Sequence, residues 1–499
     1  MADKDCAQRV ADSLTYEDLG RTHEWRTFRD MQREDEKTRG KPGHQDGWFV
    51  SKYGLDALDA KVASLHAERW QKCLVADDRG AWTYSGLAPM LAEKFGARVR
   101  RAYPLPALTG KYAHCRLPFA LRPLQEEVCD LFQAGSALGP VGAELATGIG
   151  KTAIFLEAIR RCGLPALVTT MSLSISGQFY RQAVAMFGKA EVGRFFDGKK
   201  ELDRPIVIAT TASVARASAA ATDSLREKLV LLGDESHLLA AETLSQDIFG
   251  KLGDIPYRFF LSGSQIRGDG ADLLLEGVLG RVVKRVTVRD GVEMGYLARP
   301  NFVQVRAQSP LPWKGRDVVK LNRLHLHQNE AVADRACAMV RTAVAHGRRV
   351  LVAIDELTQF RLLEPRLRGL RVALAHGGIQ ARDAAPGGDL EWLPPQHRKS
   401  DPPALVEALD RGEYDVMVGT SCIGTGTDFQ TVDFVVDLCG LASEVRIRQL
   451  TGRATRIAGG KTDFYYVDFD VANVEPLTLA AAKRRRIFEE IFGPVTVTN

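Results

Sequence analysis

The chain has 499 residues, of which 45% are hydrophobic and 26% charged, with a formal net charge of +5 at pH 7. This length predicts two to four globular domains, and the small basic excess permits a polyanionic partner without requiring one. No apolar run approaches the roughly 18 residues of a membrane span, and the scattered cysteines form no Cys-x-x-Cys pair. The sequence therefore argues against a membrane partner, a zinc ribbon and a disulfide framework, and favours a cytoplasmic protein.

Two segments precede the first regular alternation of strands and helices. Residues 1–46 form a charged N-terminal segment, predicted to be a solvated helix or a mobile stretch. Residues 47–115 contain several aromatic residues and the helix-like run GLAPMLAEKFG. They are predicted to form a small accessory domain that binds nucleic acid through basic residues. An ordinary solvated surface explains those basic residues equally well.

From about residue 116, short apolar runs alternate with amphipathic segments, and a second such series begins after Pro300. Strands that alternate with helices predict parallel sheets covered on both faces. We therefore predict an α/β fold with two tandem RecA-like parallel-sheet domains, residues 116–298 and 299–475, behind the small N-terminal accessory α+β domain. The polar stretch 386–403 is predicted to be a surface loop inserted in the second domain.

Two smaller features have more than one interpretation. Residues 476–499 are predicted to form a C-terminal basic helix, and its run of four basic residues, which starts at Lys483, is more typical of a solvated face than of a DNA contact. His325 and His327 would be half of a metal site, but no nearby ligand completes it, so a surface pair is the favoured interpretation.

The first chemical motif is ELATGIGKT, which ends at Thr152. A strand-like run leads into a glycine turn, and a helical pattern follows, as in a phosphate loop, although Leu145 stands where the strict pattern has its first glycine. Glycines leave room for phosphate oxygens, and backbone N–H groups supply positive charge. Lys151 would contact the β- and γ-phosphates of ATP, and Thr152 would bind Mg²⁺. The predicted nucleotide contacts here are Thr147, Gly148, Gly150, Lys151 and Thr152. A chance glycine turn is the alternative.

The motif LLGDESH is an apolar run that ends in two acids. At the carboxyl end of a parallel strand such acids face the ligand crevice. Asp234 would hold Mg²⁺, and Glu235 would orient and deprotonate the attacking water. His237 would couple this site to the motif LSGS, through Ser262 and Ser264. A solvated strand end is the alternative for an isolated Asp-Glu pair.

Further motifs flank these two. In LRPLQ, Gln125 carries both a donor and an acceptor for the adenine edge, and Arg122 is assigned to the same nucleotide contact. In the second domain, GTSCIGTGTDF places Asp428 after a loop of small and hydroxyl residues, from which it would reach the nucleotide. In QLTGRATR, Gln449, Arg453 and Arg456 are predicted to act in catalysis. The two arginines, placed on one helix face, would serve as arginine fingers.

Nucleic acid is predicted to bind across both domains, mainly through its backbone and therefore without reading sequence. The predicted contacts are hydroxyl and amide side chains: Ser172, Gln178, Thr210, Thr211, Thr420, Ser421 and Thr425. Closing and opening of a cleft around ATP would move the nucleic-acid-binding sites of the two domains relative to each other.

The ordered set LRPLQ, ATGIGKT, DESH, LSGS, GTGTDF and QLTGRATR resembles that of the superfamily 2 DNA helicases. Within them it is most similar to phage recombination and repair helicases of the UvsW type, and more distantly to the XPB and RecG groups. The resemblance implies an ATP- and Mg²⁺-dependent hydrolase that remodels or unwinds branched DNA, including junctions, forks, displacement loops and RNA–DNA hybrids. It also implies protein partners in recombination, repair or defence and, for a phage protein, residence in the host cytoplasm.

Three alternatives remain open at this point. In the first alternative, the chain is a double-stranded DNA translocase subunit of a restriction, defence or remodelling complex and does not separate strands. It would be an RNA helicase, because motor motifs do not distinguish RNA from DNA. It would be a non-catalytic ATP-binding scaffold, against which the intact Lys151, Glu235, Arg453 and Arg456 argue.

Overall fold

The computed structural model describes residues 4–17, 19–39, 48–68, 70–77, 80–96, 98, 104–235, 251–263, 272–379, 388, 390–420, 429–440, 444–457 and 461–493. At some positions in these ranges only the backbone is described. Within this part of the chain, no helix is both long and apolar enough to cross a membrane.

The first large sheet has seven strands in the order β11-β5-β10-β9-β6-β8-β7. Its central strands are almost continuously buried, as expected when helices cover both faces of a parallel sheet. The strands are β5 (Val141–Leu145), β6 (Ala166–Thr170), β7 (Val192–Phe195), β8 (Ile206–Thr210), β9 (Val230–Asp234), β10 (Tyr257–Ser262) and β11 (Arg281–Val286). The helices that accompany them are Pro123–Gly135, Lys151–Cys162, Leu173–Phe187, Thr211–Ala215, Ala219–Arg226 and Asp272–Leu279.

The second large sheet has six strands in the order β12-β17-β16-β13-β15-β14. All of its recorded strand pairs are parallel. The strands are β12 (Arg299–Ala307), β13 (Arg349–Ala353), β14 (Val372–Ala375), β15 (Val416–Gly419), β16 (Val432–Asp437) and β17 (Asp463–Val471). The longer helices of this part are Glu330–Ala345, Pro402–Asp410, Glu444–Ala454 and Glu475–Phe492, and the shorter ones are Val288–Glu293, Val318–Asn322 and Phe360–Arg366.

These two sheets confirm the predicted α/β fold with two parallel-sheet domains. The chain forms two compact units, which do not follow the predicted domain bounds residue by residue. The second unit contains residues 286–499 together with Leu145–Thr152 and Thr170–Ala183. The bounds given in the sequence analysis stay predictions.

The N-terminal region is held together by short strands and helices. Strand β1 (Thr15–Glu17) pairs antiparallel with β2 (Trp70–Lys72), and β3 (Leu74–Asp77) pairs antiparallel with β4 (Gly80–Thr83). The helices here are Lys4–Ser13, Leu19–Thr38, Trp48–Tyr53, Leu55–Glu68 and Ala88–Phe95. Aromatic rings join the second of them to its neighbours: the Trp25 and His66 ring centroids lie 5.5 Å apart, and those of Phe28 and Phe49 lie 5.0 Å apart. One face of the charged N-terminal helix is therefore packed, not solvated.

The accessory region lies close to the helix Asp272–Leu279, which belongs to the same compact unit. A Cβ built on Gly86 would lie 2.2 Å from the Glu276 carbonyl oxygen, and one on Gly277 would lie 2.9 Å from Tyr84 Cβ. Leu87 between them is fully buried. Only glycine allows the Gly86 backbone to lie this close to the Glu276 carbonyl, and the Tyr84 side chain leaves no room for a Cβ on Gly277.

The basic run in the C-terminal helix is only partly solvated. Arg484 is 2% exposed, and its Nε donates to Asp468 Oδ1 at 2.7 Å. Its Nη2 also donates to the Phe469 carbonyl at 2.8 Å. The interpretation of this run as a solvated face is therefore wrong for Arg484, because sequence alone did not reveal the buried carboxylate opposite it.

Breaking this buried ion pair should destabilise the protein. Substitution of Arg484 by methionine would leave the buried Asp468 carboxyl without its cation, and such a loss costs about 3–5 kcal/mol. Chemical unfolding followed by circular dichroism measures the difference in unfolding free energy. The neighbouring substitution Arg486→Met removes a charge without touching Asp468 and should change stability by less than about 0.5 kcal/mol.

The surface-pair interpretation of His325 and His327 is also wrong. The two residues are 0% and 9% exposed, and His325 Nδ1 lies 2.7 Å from Ser309 Oγ in a hydrogen bond. Burial lowers the pKa of both imidazoles. Among the described residues, no group of three potential ligands could hold a metal ion.

Candidate functional site

The phosphate-loop motif forms the turn between strand β5 and the helix Lys151–Cys162. Gly148 and Gly150 both have φ of +95°, in the left-handed region that favours glycine. A Cβ on Gly148 would lie 2.8 Å from Leu297 Cδ2, so the turn is also closely packed. The Ala146 N–H donates to the Val286 carbonyl at 3.0 Å, and Ile149 is fully buried. The turn therefore has a fixed shape.

Lys151 and Thr152 are the first two residues of a 12-residue helix. The first N–H groups of a helix have no partner within it and carry its partial positive charge. Both side chains are half-buried. The predicted arrangement of a cationic side chain, a hydroxyl and backbone donors at one turn is therefore present in the fold.

The acidic motif follows β9, which lies in the same sheet as β5. Strand β10 lies between β5 and β9, with Ser262 opposite Glu144 of β5 and Leu261 opposite Asp234 of β9. The carboxyl ends of these three parallel strands meet at one edge of the sheet, where ligands bind in such folds. The sheet thus brings together the end of β5, which leads into the phosphate-loop motif, the end of β9, where the acidic motif lies, and the first serine of LSGS.

Glu235 adopts a strained backbone conformation. Its φ is +48°, which is uncommon for any residue with a side chain and costs about 1–3 kcal/mol. The Gly263 N–H donates to Glu235 Oε2 at 3.4 Å, and this bond links the acidic motif to the turn after β10. Ser262 is fully buried at the end of β10. His237 and Ser264 lie outside the described residues.

The arginine motif spans the end of a helix, and this differs from the prediction. The helix Glu444–Ala454 stops before Arg456, which pairs with Leu297 in an isolated antiparallel bridge. The Ala298 N–H also donates to the Thr455 carbonyl at 2.6 Å. The prediction that both arginines share one helix face is therefore wrong, because the helix ends before Arg456, whose backbone pairs with Leu297.

Arg456 lies next to the phosphate-loop turn, which belongs to the same compact unit. A Cβ on Gly148 would lie 3.4 Å from Arg456 Cγ, and one on Gly452 would lie 3.3 Å from Thr147 Cβ. Burial lowers the pKa of Arg456 to about 10, so the guanidinium stays charged at neutral pH. For Gln449 and Arg453 the backbone lies in this helix, and their side chains are outside the described part of the structure.

Arg122 and Gln125 begin the helix Pro123–Gly135. The Arg122 N–H donates to Gln125 Oε1 at 3.0 Å, which caps the helix N-terminus. Gln125 is only 5% exposed, so it is not a surface glutamine. Its contact with adenine stays a prediction.

The predicted nucleic-acid contacts differ in their surroundings. Thr210 and Thr211 are 6% and 2% exposed, and Thr210 Oγ1 accepts a hydrogen bond from the Ser213 N–H at 3.2 Å. Ser172 Oγ similarly accepts from the Ile175 N–H at 3.2 Å. Gln178 and Thr420 are half-buried. Ser421, Thr425 and Asp428 fall outside the described residues. The contact of this set with nucleic acid stays a prediction.

Two domain families match the chain. The family described as "Type III restriction enzyme, res subunit" matches residues 118–263, and the family described as "Helicase conserved C-terminal domain" matches residues 334–458. The first match contains strands β5–β10, the second contains β13–β16, and together they cover more than half of the chain. The chain is a superfamily 2 helicase. The predicted superfamily is thereby confirmed.

The two matched domains make this helicase an ATP hydrolase of the nucleic-acid-dependent kind. They imply binding of ATP and of nucleic acid as a class. Mg²⁺ is the usual companion of ATP in such enzymes, and the carboxylate of Asp234 and the hydroxyl of Thr152 are oxygen donors of the type that it prefers.

Two proteins similar to the helicase come from an archaeal virus and from yeast. A protein named as helicase 22 of the Sulfolobus islandicus filamentous virus is 22% identical over 269 residues, which are 53% of this chain and 46% of the viral one. The chain thus spans about half the length of that relative. The structure of S. cerevisiae Dbp5 bound to RNA and ADP BeF3 is 14% identical with a TM-score of 0.54, and the match covers 81% of this chain and 96% of Dbp5.

The crystal structure of T4 UvsW also matches the helicase, with 14% identity and coverage of 100% of this chain and 97% of UvsW. Its TM-score is 0.40, which supports no further conclusion. At 14% identity, the likeness to Dbp5 establishes the shared fold alone.

Proposed function

We propose that this helicase uses ATP hydrolysis to move along DNA and to remodel or unwind branched DNA, such as forks, junctions, displacement loops and RNA–DNA hybrids. The observation that carries the proposal is the position of Arg456 beside Gly148 in the phosphate-loop turn. A guanidinium next to that turn stabilises the charge that develops on a transferring phosphoryl group. ATP hydrolysis thus depends on two segments that are far apart in the sequence.

The side chains around this turn divide the chemistry among them. Lys151 and the first N–H groups of its helix bind the phosphates, and Thr152 and Asp234 hold Mg²⁺, which neutralises phosphate charge. Glu235 accepts a proton from the attacking water. Arg456 donates hydrogen bonds to the phosphoryl oxygens, with Arg453 and Gln449 assigned to the same step. Arg122 and Gln125 hold the base.

Coupling to movement follows from where the motifs lie. Glu235 accepts a hydrogen bond from the N–H of Gly263, the third residue of LSGS, so changes at the γ-phosphate reach that motif directly. His237, Ser262 and Ser264 are assigned to this coupling. Asp428 and the hydroxyl-rich loop that precedes it would transmit changes at the nucleotide to the second sheet. Nucleic acid is then gripped through its backbone, independently of sequence.

The preference for branched DNA comes from the order and spacing of the motifs and from their resemblance to recombination and repair helicases. The accessory region supports it, because its firm attachment through Gly86 and Gly277 would let it hold a duplex arm in a fixed relation to the first sheet. Partners in recombination, repair or defence belong to the same proposal.

A panel of nucleic acids tests this function. The wild-type protein should hydrolyse ATP fastest with forked or junction DNA, more slowly with linear duplex DNA and slowest with duplex RNA, and it should displace a labelled strand from the fork. The variant Lys151→Ala is the ATP-inactive control for every substrate. Greatest stimulation by RNA would assign the protein to RNA unwinding instead.

A second candidate is a duplex translocase that acts as a subunit of a restriction or defence complex. The match to the res-subunit family of type III restriction enzymes favours it. The same panel separates the two functions. A translocase would show strong ATP turnover with linear duplex DNA and would displace a bound streptavidin block, while it would leave the forked strand annealed.

A further inference from the structure

An ion pair joins the second sheet to the helix of the arginine motif. Arg446 Nη1 lies 2.5 Å from Asp355 Oδ1, and the two side chains are only 21% and 20% exposed. Arg446 is the third residue of the helix Glu444–Ala454, one turn before Gln449. Asp355 follows strand β13 by two residues. Neither residue belongs to a motif identified in the sequence.

Asp355 is itself held in a fixed position. Its N–H donates to Gln359 Oε1 at 2.8 Å, and Gln359 Nε2 donates to the Leu438 carbonyl at 3.0 Å. Gln359 is 4% exposed. Because Leu438 directly follows strand β16, this one amide ties together the carboxyl ends of two adjacent strands. Asp355 thus presents its carboxylate from a rigid part of the sheet.

The far end of the same helix is also attached. Beyond Ala454, the Thr455 carbonyl accepts the Ala298 N–H, and Arg456 bridges to Leu297. The helix therefore has a tether at each end, a backbone pairing near Arg456 and the ion pair at Arg446. A rigid segment held at two points transmits any displacement at one end to the other.

We propose that Asp355 is a positioning residue for ATP hydrolysis: through Arg446 it sets the placement of the helix whose last turn leads to Arg456. This inference rests on the proposed function of Arg456. Asp355 does not touch the phosphates. Removal of the Asp355 carboxylate should displace the guanidinium of Arg456 by a small part of the length of its side chain. A displacement of about 1 Å can lower the rate of hydrolysis about a hundredfold.

The test is the effect of Asp355→Asn on steady-state ATP hydrolysis in the presence of saturating nucleic acid. We expect kcat to fall by about ten- to a hundredfold, while KM for ATP and the affinity for a non-hydrolysable ATP analogue change by less than about twofold. Arg446→Gln should give the same loss. The double variant should be no slower than either single variant, because both act through one contact.

The matched control is Arg323→Gln. It breaks an exposed ion pair with Glu356, the residue next to Asp355, and leaves Arg446 in contact with its partner. This variant should keep wild-type kcat. Should Asp355→Asn fail to fold, Arg446→Gln decides, since it removes the same ion pair from the other side; a lowered kcat at unchanged KM supports the inference and a wild-type kcat overturns it.

The outcomes separate this inference from the function on which it rests. Absence of ATP hydrolysis by the wild-type protein with every nucleic acid would refute the proposed function. Wild-type hydrolysis together with an unimpaired kcat in Asp355→Asn refutes the positioning role alone. Losses that multiply in the double variant also refute it, because they would show that the two residues act separately.

Discussion

Arg456→Ala should lower kcat for ATP hydrolysis by at least about 10³-fold, because an arginine that contacts the transferring phosphoryl group contributes about 10³–10⁵ in rate. Arg456 lies close to the Gly148 turn, since a Cβ on Gly148 would lie 3.4 Å from Arg456 Cγ. The guanidinium is also charged at neutral pH, with a pKa of about 10. Single-turnover hydrolysis of ATP, with nucleic acid present, measures the chemical step directly.

Arg448→Ala is the matched control for this substitution. Arg448 lies in the helix of the same motif, is exposed, and its Nη2 lies 2.7 Å from the Glu444 carboxylate in the preceding turn. Its loss should leave kcat within about twofold of wild type, because exposed pairs of this kind contribute little. Wild-type turnover by Arg456→Ala would show that another group stabilises the transferring phosphoryl. Arg456→Lys should remain far below wild type, since an ammonium lacks the planar fork of donors.

The placement of the motifs in the first sheet was predictable because parallel strands follow a simple rule. The carboxyl ends of parallel strands lie at the same edge of a sheet, so Glu144, Asp234 and Ser262 had to lie near one another once their strands were neighbours. The two glycines of the turn were a second signal. They can be read directly from the sequence, and both have a positive φ in the structure. Fold class and motif placement both follow from such local patterns.

Other features depend on contacts between residues far apart in the chain. Arg456 leaves the helix because its backbone pairs with Leu297, and no spacing within QLTGRATR indicates this partner. The burial of Arg484 depends in the same way on Asp468, which lies 16 residues earlier on a different element. Asp355 and Arg446 show no pattern at all, since each is an ordinary charged residue until the fold brings them together.

Glu235→Gln should reduce kcat by about 10²–10⁴-fold and leave ATP binding intact, because glutamine keeps the shape of the side chain but cannot accept the proton of the attacking water. The amide oxygen can still accept the Gly263 N–H, so the connection to the turn after β10 is preserved. Glutamine also fits the strained backbone at this position no worse than glutamate. The measurement pairs single-turnover hydrolysis with equilibrium binding of fluorescent ATP.

Glu227→Gln provides the comparison, since Glu227 is an exposed acid that precedes strand β9 by three residues. It should retain full turnover. Loss of ATP binding in Glu235→Gln would indicate that the carboxylate holds the nucleotide or its metal ion instead of activating water. Turnover near the wild-type rate with ATP bound would mean that a different base acts. If the variant binds ATP without hydrolysing it, the helicase should remain in its ATP-bound state. Its affinity for nucleic acid in that state should differ from that of the nucleotide-free protein.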